Sequence, residues 1–165
     1  PYMELFFGNN VNKFKYTALK SAISFLPYGA TIDHFQHFVY ENPTATPEER
    51  RNKYHEIELM YRPDLDYADE FLDRGTYWFL QAHVFSTPFY YIDYTLAQVC
   101  AFQYLIKYLE HPKQTLQEYI TLCKTGGSQS FFDLIETGKL KNPMTTSVME
   151  DIVPILDQII HSIEI

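Results

Sequence analysis

Turn-forming residues divide this sequence into short stretches, and each stretch repeats its apolar residues at helical spacing. Glycine and asparagine are common just beyond helix C-termini, and proline cannot continue a helix. Such breaks stand at Gly8-Asn9-Asn10, Asn42-Pro43 and Gly126-Gly127. No stretch alternates apolar and polar residues as a half-buried strand does. The sequence therefore predicts an all-α chain, which we expect to form a single helical domain over residues 1–165.

Local signals indicate where the expected helices begin and end. Thr46 with Glu49, and Ser147 with Glu150, have the capping-box spacing that opens a helix. Pro27 lacks a backbone N–H and disfavours helical geometry in the residue before it, so we expect a kink or a restart there. The expected helices cover residues 1–7, 12–25, 28–40, 46–61, 71–85 with a break at Gly75, 88–110, 112–124, 130–136 and 147–163.

The stretch HVFSTPFYYIDYTLAQ, residues 83–98, concentrates polar and aromatic side chains around one expected helix start. Thr87 can cap a helix through its side-chain oxygen, and Pro88 suits the first turn because its missing N–H would have no partner there. A helix is therefore expected to begin near Thr87. The polar stripe that follows at helical spacing, and the histidine just before it, comprise Tyr91, Tyr94, Gln98 and His83.

The same tyrosines also fit a packing role. The chain has 14 tyrosines and 13 phenylalanines, so many of these rings must lie in the core. A buried tyrosine usually finds a hydrogen-bond partner for its hydroxyl without any further function. The pattern alone leaves both a polar site and a hydrophobic core open for Tyr91 and Tyr94.

Charge and composition argue against several classes of protein. The formal net charge is −8, and the clustered lysines and arginines of a nucleic-acid-binding surface are missing. No run of about 18 apolar residues indicates a membrane span. Cys100 and Cys123 stand in apolar helical surroundings and form no C-x-x-C clip, so we expect free, buried thiols in a cytoplasmic protein.

The sequence contains no complete set of metal ligands. His34 and His37 are spaced to share a helix face, but no third ligand stands near them, so we expect hydrogen-bonded packing residues. The acidic run Asp64, Asp66 and Asp69 lacks the glycine and the final glutamate of a calcium loop. The H-E-x-x-H pattern is also missing. We therefore expect this chain itself to bind no metal.

Four stretches, taken in chain order, resemble blocks of a known family. They are FLPYGATIDHFQHFVYENP (25–43), FLDRGTYWFLQAHVF (71–85), PFYYIDYTLAQVCAFQ (88–103) and LCKTGGSQSFFDLI (122–135). Together with the aromatic run of residues 1–7, they resemble the C-terminal part of the oligoendopeptidase F family, which belongs to the thimet-oligopeptidase-like zinc metallopeptidases. The resemblance covers almost the whole chain.

This resemblance implies a fold and an activity. The expected fold is the multi-helix, C-terminal portion of a clam-shaped helical zinc metallopeptidase that hydrolyses short peptides. In the family an H-E-x-x-H helix supplies zinc ligands and the general base, so zinc is expected in the complete enzyme through the upstream part of the same polypeptide. The chain alone is then expected to be inactive and to self-associate through apolar surface around Tyr2, Phe6 and Phe7.

The resemblance also assigns roles to residues 83–98. Tyr94 matches the tyrosine that donates to the developing oxyanion, Tyr91 a neighbouring active-site tyrosine, and His83 the histidine before them. Tyr90 and Gln98 are expected to contact the substrate. Two alternatives remain open: a helical module that binds peptides without cutting them, and a structural domain whose aromatic residues are core.

Overall fold

The computed structural model describes residues 2–165, and every regular element in that range is helical. The predicted all-α fold class is therefore confirmed, with no strand among the described residues. Short 3₁₀ helices cover Gly8–Asn10 and Tyr77–Leu80. The α-helices are α1 (Glu4–Phe7), α2 (Val11–Glu41), α3 (Pro47–Tyr61), α4 (Glu70–Asp73), α5 (Ala82–Ser86), α6 (Ile92–Glu110), α7 (Pro112–Thr125), α8 (Phe131–Thr137) and α9 (Thr146–His161). Pro1, which the sequence assigned to the first helix, lies outside the described residues.

The chain forms two compact units. The central unit is Ser21–Thr95, and the terminal unit combines the residues up to Lys20 with Leu96–Ile165. The single domain that the sequence predicts over residues 1–165 stays a prediction. Cooperative unfolding of both units in one transition would support it.

Helix α2 continues through Pro27, and the restart expected there is wrong. A proline inside a helix costs about 3 kcal/mol or more because it removes one hydrogen bond and crowds the preceding turn. Ile32 and Phe35 follow in the same helix and are completely buried. Each such burial contributes roughly 1.5–3 kcal/mol, which is enough to hold the helix together beyond the proline.

The core of the central unit is largely aromatic. Phe35 lies edge-on to Tyr54 with 5.2 Å between ring centroids, and 4.9 Å from the Trp78 ring. Aromatic pairs in such geometry add to the free energy gained from burial. The buried cluster comprises Ile32, Phe35, Tyr54, Ile57, Trp78 and Tyr91. Tyr91 is thus fixed by the core in the middle of the residue 83–98 segment.

Two local features fix the elements around this core. The capping box expected at the start of α3 is confirmed, since the Thr46 hydroxyl accepts from the Glu49 N–H and the Glu49 carboxylate accepts from the Thr46 N–H. Gly75 has a φ of +73°, and a Cβ there would lie 2.1 Å from the Arg51 carbonyl oxygen. Only glycine therefore fits where the chain turns toward Tyr77–Leu80.

In the terminal unit, one glutamine joins α6 to the backbone before α9. The Gln103 amide donates to the Lys141 carbonyl at 3.0 Å and accepts from the Lys141 N–H at 2.8 Å. The Tyr104 hydroxyl also donates to the Gly138 carbonyl. The buried apolar residues of this unit are Leu19, Val99, Phe102, Ile135, Val148, Ile152 and Leu156.

Two expectations for the terminal unit are wrong. Helix α9 begins at Thr146, so Ser147 already lies inside it, and the N-cap residue Thr145 makes no side-chain capping bond because its hydroxyl donates to the Asn142 carbonyl. The structure instead places a capping box at the start of α8, between Ser130 and Asp133. Cys123 is exposed, whereas Cys100 is half-buried. Both thiols are free, as expected.

Helix α1 presents apolar side chains to solvent. Leu5 and Phe6 are 81% and 77% exposed, and Tyr2 is exposed as well. The expected exposure of this surface is present, while self-association through it stays a prediction. From Tyr2 onwards, no helix combines the length and the apolar composition needed to cross a bilayer.

Candidate functional site

The loop between α5 and α6 folds differently from its prediction. Helix α6 begins at Ile92, and the start expected near Thr87 is wrong. Thr87 ends α5 by donating its N–H to the His83 carbonyl at 2.9 Å. Phe89 then takes a φ of +58°, which lies outside the right-handed helical region, so no α-helix can run through it. A bulky residue rarely adopts this conformation. The loop therefore turns Tyr90 back toward His83.

Four side chains form one aromatic cluster, which consists of His83, Tyr90, Tyr91 and Tyr94. The His83 ring lies parallel to Tyr90 at 5.9 Å, and edge-on to Tyr91 and Tyr94 at 5.3 and 5.7 Å. Tyr94 is also 5.3 Å from Tyr90 and 5.5 Å from Tyr91. The structure thus brings together four of the five residues that the sequence singled out.

The cluster has a buried side and an exposed side. Tyr91 is 8% exposed and packs in the core, whereas Tyr90 and Tyr94 are 42% and 41% exposed. Burial raises the pKa of Tyr91 above its usual value. The neighbouring Tyr90 hydroxyl raises the pKa of Tyr94. Both phenols therefore keep their protons at neutral pH and can donate hydrogen bonds.

Two residues that sequence reasoning missed hold the His83 ring. Gln81 Nε2 lies 2.7 Å from His83 Nδ1, and the Tyr28 hydroxyl donates to Gln81 Oε1 at 3.0 Å. Gln81 stands two residues before His83, which is a weak signal. Tyr28 is 53 residues away from Gln81, and nothing in the local sequence points to it.

Tyr28 is itself held by a buried acidic residue. The Arg62 guanidinium lies over the Tyr28 ring at 5.7 Å and pairs with Glu58 at 3.4 Å. Glu58 is 2% exposed and accepts hydrogen bonds from the Tyr67 and Tyr54 hydroxyls at 2.6 and 3.2 Å. A continuous set of contacts therefore runs from this carboxylate to the aromatic cluster.

Gln98 and Asp93 lie outside the aromatic cluster. Gln98 belongs to the terminal unit and is half-buried. Its role as a substrate contact stays a prediction. Asp93 is exposed in the first turn of α6, where its negative charge interacts favourably with the positive end of the helix dipole.

The histidines and aspartates considered as metal ligands make local contacts. His34 Nδ1 lies 3.3 Å from the Tyr61 hydroxyl, and His37 pairs with Asp33 at 3.5 Å. Asp69 accepts from the first N–H groups of α4, and Asp66 accepts from the Ala68 N–H. In the part of the chain that the structure describes, no three histidine, cysteine, aspartate or glutamate side chains gather as a metal ion requires.

Three solved structures are similar to this chain over 99% of its length. One, described as an oligoendopeptidase F, is 43% identical with a TM-score of 0.94. A second, PZ peptidase A with an inhibitor, is 42% identical, also with a TM-score of 0.94. The third, described as an oligoendopeptidase F from Bacillus anthracis strain Ames, is 36% identical with a TM-score of 0.80.

The helical fold and these relatives define the class, which is that of a peptidase-family chain. This chain spans 29% of the length of the first two relatives and 26% of the third. It belongs to the oligoendopeptidase F family, as the sequence resemblance indicated. No protein-family model matches the chain, and neither does any curated protein sequence.

Proposed function

We propose that this chain is the C-terminal part of a zinc-dependent oligoendopeptidase and that its aromatic cluster contacts the peptide being cleaved. The observation that carries the proposal is the gathering of His83, Tyr90, Tyr91 and Tyr94, with two of the phenols exposed to an incoming ligand. The substrates would be short peptides, and a cytoplasmic location stays a prediction.

The described residues do not fit a zinc ion. A catalytic zinc site needs three protein ligands, and the candidate histidines and aspartates here make local contacts instead. We therefore assign the zinc ligands and the general base to a part of the polypeptide beyond this chain. The chain alone would then be inactive, and its contribution would be hydrogen-bond donors.

Peptide hydrolysis places negative charge on the former carbonyl oxygen as the tetrahedral intermediate forms. A donor aimed at that oxygen lowers the barrier because it is used more in the transition state than in the bound substrate. Tyr94 suits this role because it is exposed, neutral and protonated. Tyr91 supports it from the buried side, while Tyr90 and Gln98 are the proposed substrate contacts.

The test is Tyr94→Phe in the complete enzyme. Only the phenolic hydroxyl is lost, so the ring contacts with His83, Tyr90 and Tyr91 should persist. Loss of one oxyanion donor typically costs about 2.7–4 kcal/mol, so kcat should fall roughly a hundredfold to a thousandfold with little change in KM. Steady-state kinetics on a short fluorogenic peptide measures both constants.

The matched control is Tyr119→Phe, which removes a hydroxyl from another exposed tyrosine on a helix. It should leave kcat and KM at parental values. If Tyr94→Phe turns over within about twofold of the parent, the oxyanion role is wrong. If it then lowers only the melting temperature, the cluster is a packing feature.

The alternative of a peptide-binding module that does not cut has one observation in its favour. The donors of the aromatic cluster suit carbonyl oxygens of a bound peptide whether or not cleavage follows. Peptide binding by a complete polypeptide that shows no hydrolysis with zinc present would favour this alternative.

A further inference from the structure

Gln81 lies between the Tyr28 hydroxyl and the His83 ring. Its Oε1 accepts from the Tyr28 hydroxyl at 3.0 Å, and its Nε2 is 2.7 Å from His83 Nδ1. A carboxamide has one acceptor end and one donor end. The direction in which this amide points therefore decides which His83 nitrogen carries the proton.

The Tyr28 hydroxyl fixes the direction of the amide. Burial, followed by the neighbouring Tyr91 and Tyr77 side chains, raises the pKa of Tyr28 well above its usual value, so the phenol keeps its proton. Its proton needs an acceptor, and Gln81 Oε1 provides one. With the amide reversed, the Gln81 NH₂ would face the hydroxyl, and the phenolic proton would lose the acceptor that Gln81 Oε1 provides.

The His83 ring follows from the amide. Gln81 Nε2 donates to Nδ1, so Nδ1 presents its lone pair and the neutral ring carries its proton on Nε2. No described residue hydrogen bonds with that Nε2–H. Stacking against Tyr90, with Tyr91 and Tyr94 edge-on, keeps the ring from turning over.

We propose that Tyr28 and Gln81 are positioning residues that hold His83 in its neutral Nε2–H form, so that His83 donates a hydrogen bond to a backbone carbonyl of the peptide. This assignment rests on the proposed function, since it names what His83 does in the peptide site. The exposed Tyr90 and Tyr94 hydroxyls and the Nε2–H of the half-buried His83 ring can then all donate hydrogen bonds. Such a set recognises carbonyl oxygens and leaves His83 unsuited to accept a proton.

The Tyr28 ring is held by contacts that lead back to Glu58. Arg62, paired with Glu58, lies over the Tyr28 ring, and Tyr77 packs edge-on against that ring at 5.7 Å. Tyr28 is therefore held in place independently of Gln81. The fixed position of the Tyr28 hydroxyl then determines which end of the Gln81 amide faces it.

The experiment is nitrogen NMR on the 165-residue chain labelled with ¹⁵N-histidine, in mildly alkaline solution where the rings are neutral. A protonated ring nitrogen and one with a free lone pair resonate in well-separated regions. His83→Ala identifies the His83 signals by their loss. In the parent chain we expect Nε2 in the protonated region and Nδ1 in the unprotonated region.

Two variants test the positioning residues. Gln81→Glu replaces the donor amide by an acceptor carboxylate, so the proton should move to Nδ1 and the two ring shifts should exchange regions. Tyr28→Phe frees the amide to reverse, so both tautomers should be populated and both shifts should move to intermediate values. Gln117→Glu, on an exposed face of α7, makes the same substitution and should leave the His83 shifts unchanged.

A parent chain with the proton on Nδ1 would overturn the proposal, and so would a Gln81→Glu chain that keeps the Nε2–H form. If Gln81→Glu does not fold, Tyr28→Phe decides: a single unchanged Nε2–H form refutes the positioning role of Tyr28. The tautomer is measured without substrate. An unexpected tautomer would therefore refute the positioning role alone, and the Tyr94→Phe kinetics would still test the proposed function. Normal turnover of Tyr94→Phe with the expected tautomer would instead refute the proposed function.

Discussion

Glu58 in the central unit and Glu118 in the terminal unit are both almost completely buried, with exposures of 2% and 6%, yet different groups hold them. Glu58 accepts hydrogen bonds from the Tyr54 and Tyr67 hydroxyls and pairs with Arg62. Glu118 pairs with two lysines, of which Lys107 is 2.6 Å away. Two phenols and one cation hold Glu58, whereas two cations hold Glu118.

The two carboxylates therefore differ in what their partners contact. The Arg62 partner of Glu58 contacts residues near the candidate site, whereas the lysine partners of Glu118 do not. Of the partners of Glu58, Tyr54 is completely buried, and Arg62 lies over Tyr28, whose hydroxyl bonds Gln81 beside the aromatic cluster. The Lys139 partner of Glu118 is mostly exposed, and the Lys107 partner lies over the ring of Tyr104, which is not part of the aromatic cluster. Loss of Glu58 should therefore disturb both stability and the site, whereas loss of Glu118 should affect stability alone.

The largest effect is expected for Glu58→Ala. It leaves the Arg62 charge and two phenols without their shared partner in a buried position, and breaking a buried ion pair typically costs about 3–5 kcal/mol. Urea unfolding of the chain measures this loss. Glu56→Ala, which removes an exposed ion pair with Lys53 from the same helix, should cost less than about 1 kcal/mol. Equal costs for the two variants would contradict the comparison.

A smaller effect is expected for Tyr67→Phe. It removes the 2.6 Å hydrogen bond to Glu58 and keeps the ring, which stacks on Tyr77 at 5.2 Å. A hydrogen bond to a charged group contributes about 1.5–3 kcal/mol. Tyr54→Phe, whose bond to Glu58 is 3.2 Å long, should cost less in the same urea titration. The reverse order would show that burial, not bond length, decides the contribution.

The smallest effect is a change in pH dependence at Glu118. Hydrogen bonding with Lys107, then with Gln114, lowers the pKa of Glu118 to about 2 from 4.5. The unfolded chain then takes up this proton first as the pH falls, so the stabilisation is complete above about pH 4.5 and is lost toward pH 2. Glu118→Gln should flatten the stability profile in that window.

The exposed Glu150→Gln is the control for that profile. Thermal melts of the three chains across the acid range should separate Glu118→Gln from the other two only at the higher end. Identical profiles for Glu118→Gln and the parent would remove Glu118 from the acid transition.

The sequence predicted features that depend on neighbouring residues. Thr46 with Glu49 marks the start of α3, and Gly126, with a φ of +55°, ends α7, because capping and left-handed turns are local properties. Family resemblance and periodicity also placed His83, Tyr91 and Tyr94 in one region.

What the sequence missed depends on contacts made across the fold. Thr87-Pro88 has the composition of a helix start, but packing of the loop places Phe89 in a left-handed conformation and delays the helix to Ile92. Tyr28 meets Gln81 only because α2 packs beside α5, and no local pattern encodes that pairing. Pro27 likewise was read by its local preference, which core packing overrides.

Phe89 connects the loop that carries Tyr90 to residues near the end of α2, about 50 positions earlier in the sequence. A left-handed phenylalanine costs on the order of 1–3 kcal/mol, and here its ring is pressed against Tyr40 at 5.1 Å and His37 at 5.0 Å near the end of α2. Whatever alters Tyr40 also alters the loop that aims Tyr90. For anyone engineering cleavage preference, a library confined to the residues that touch the peptide would therefore omit one of the positions that sets their alignment.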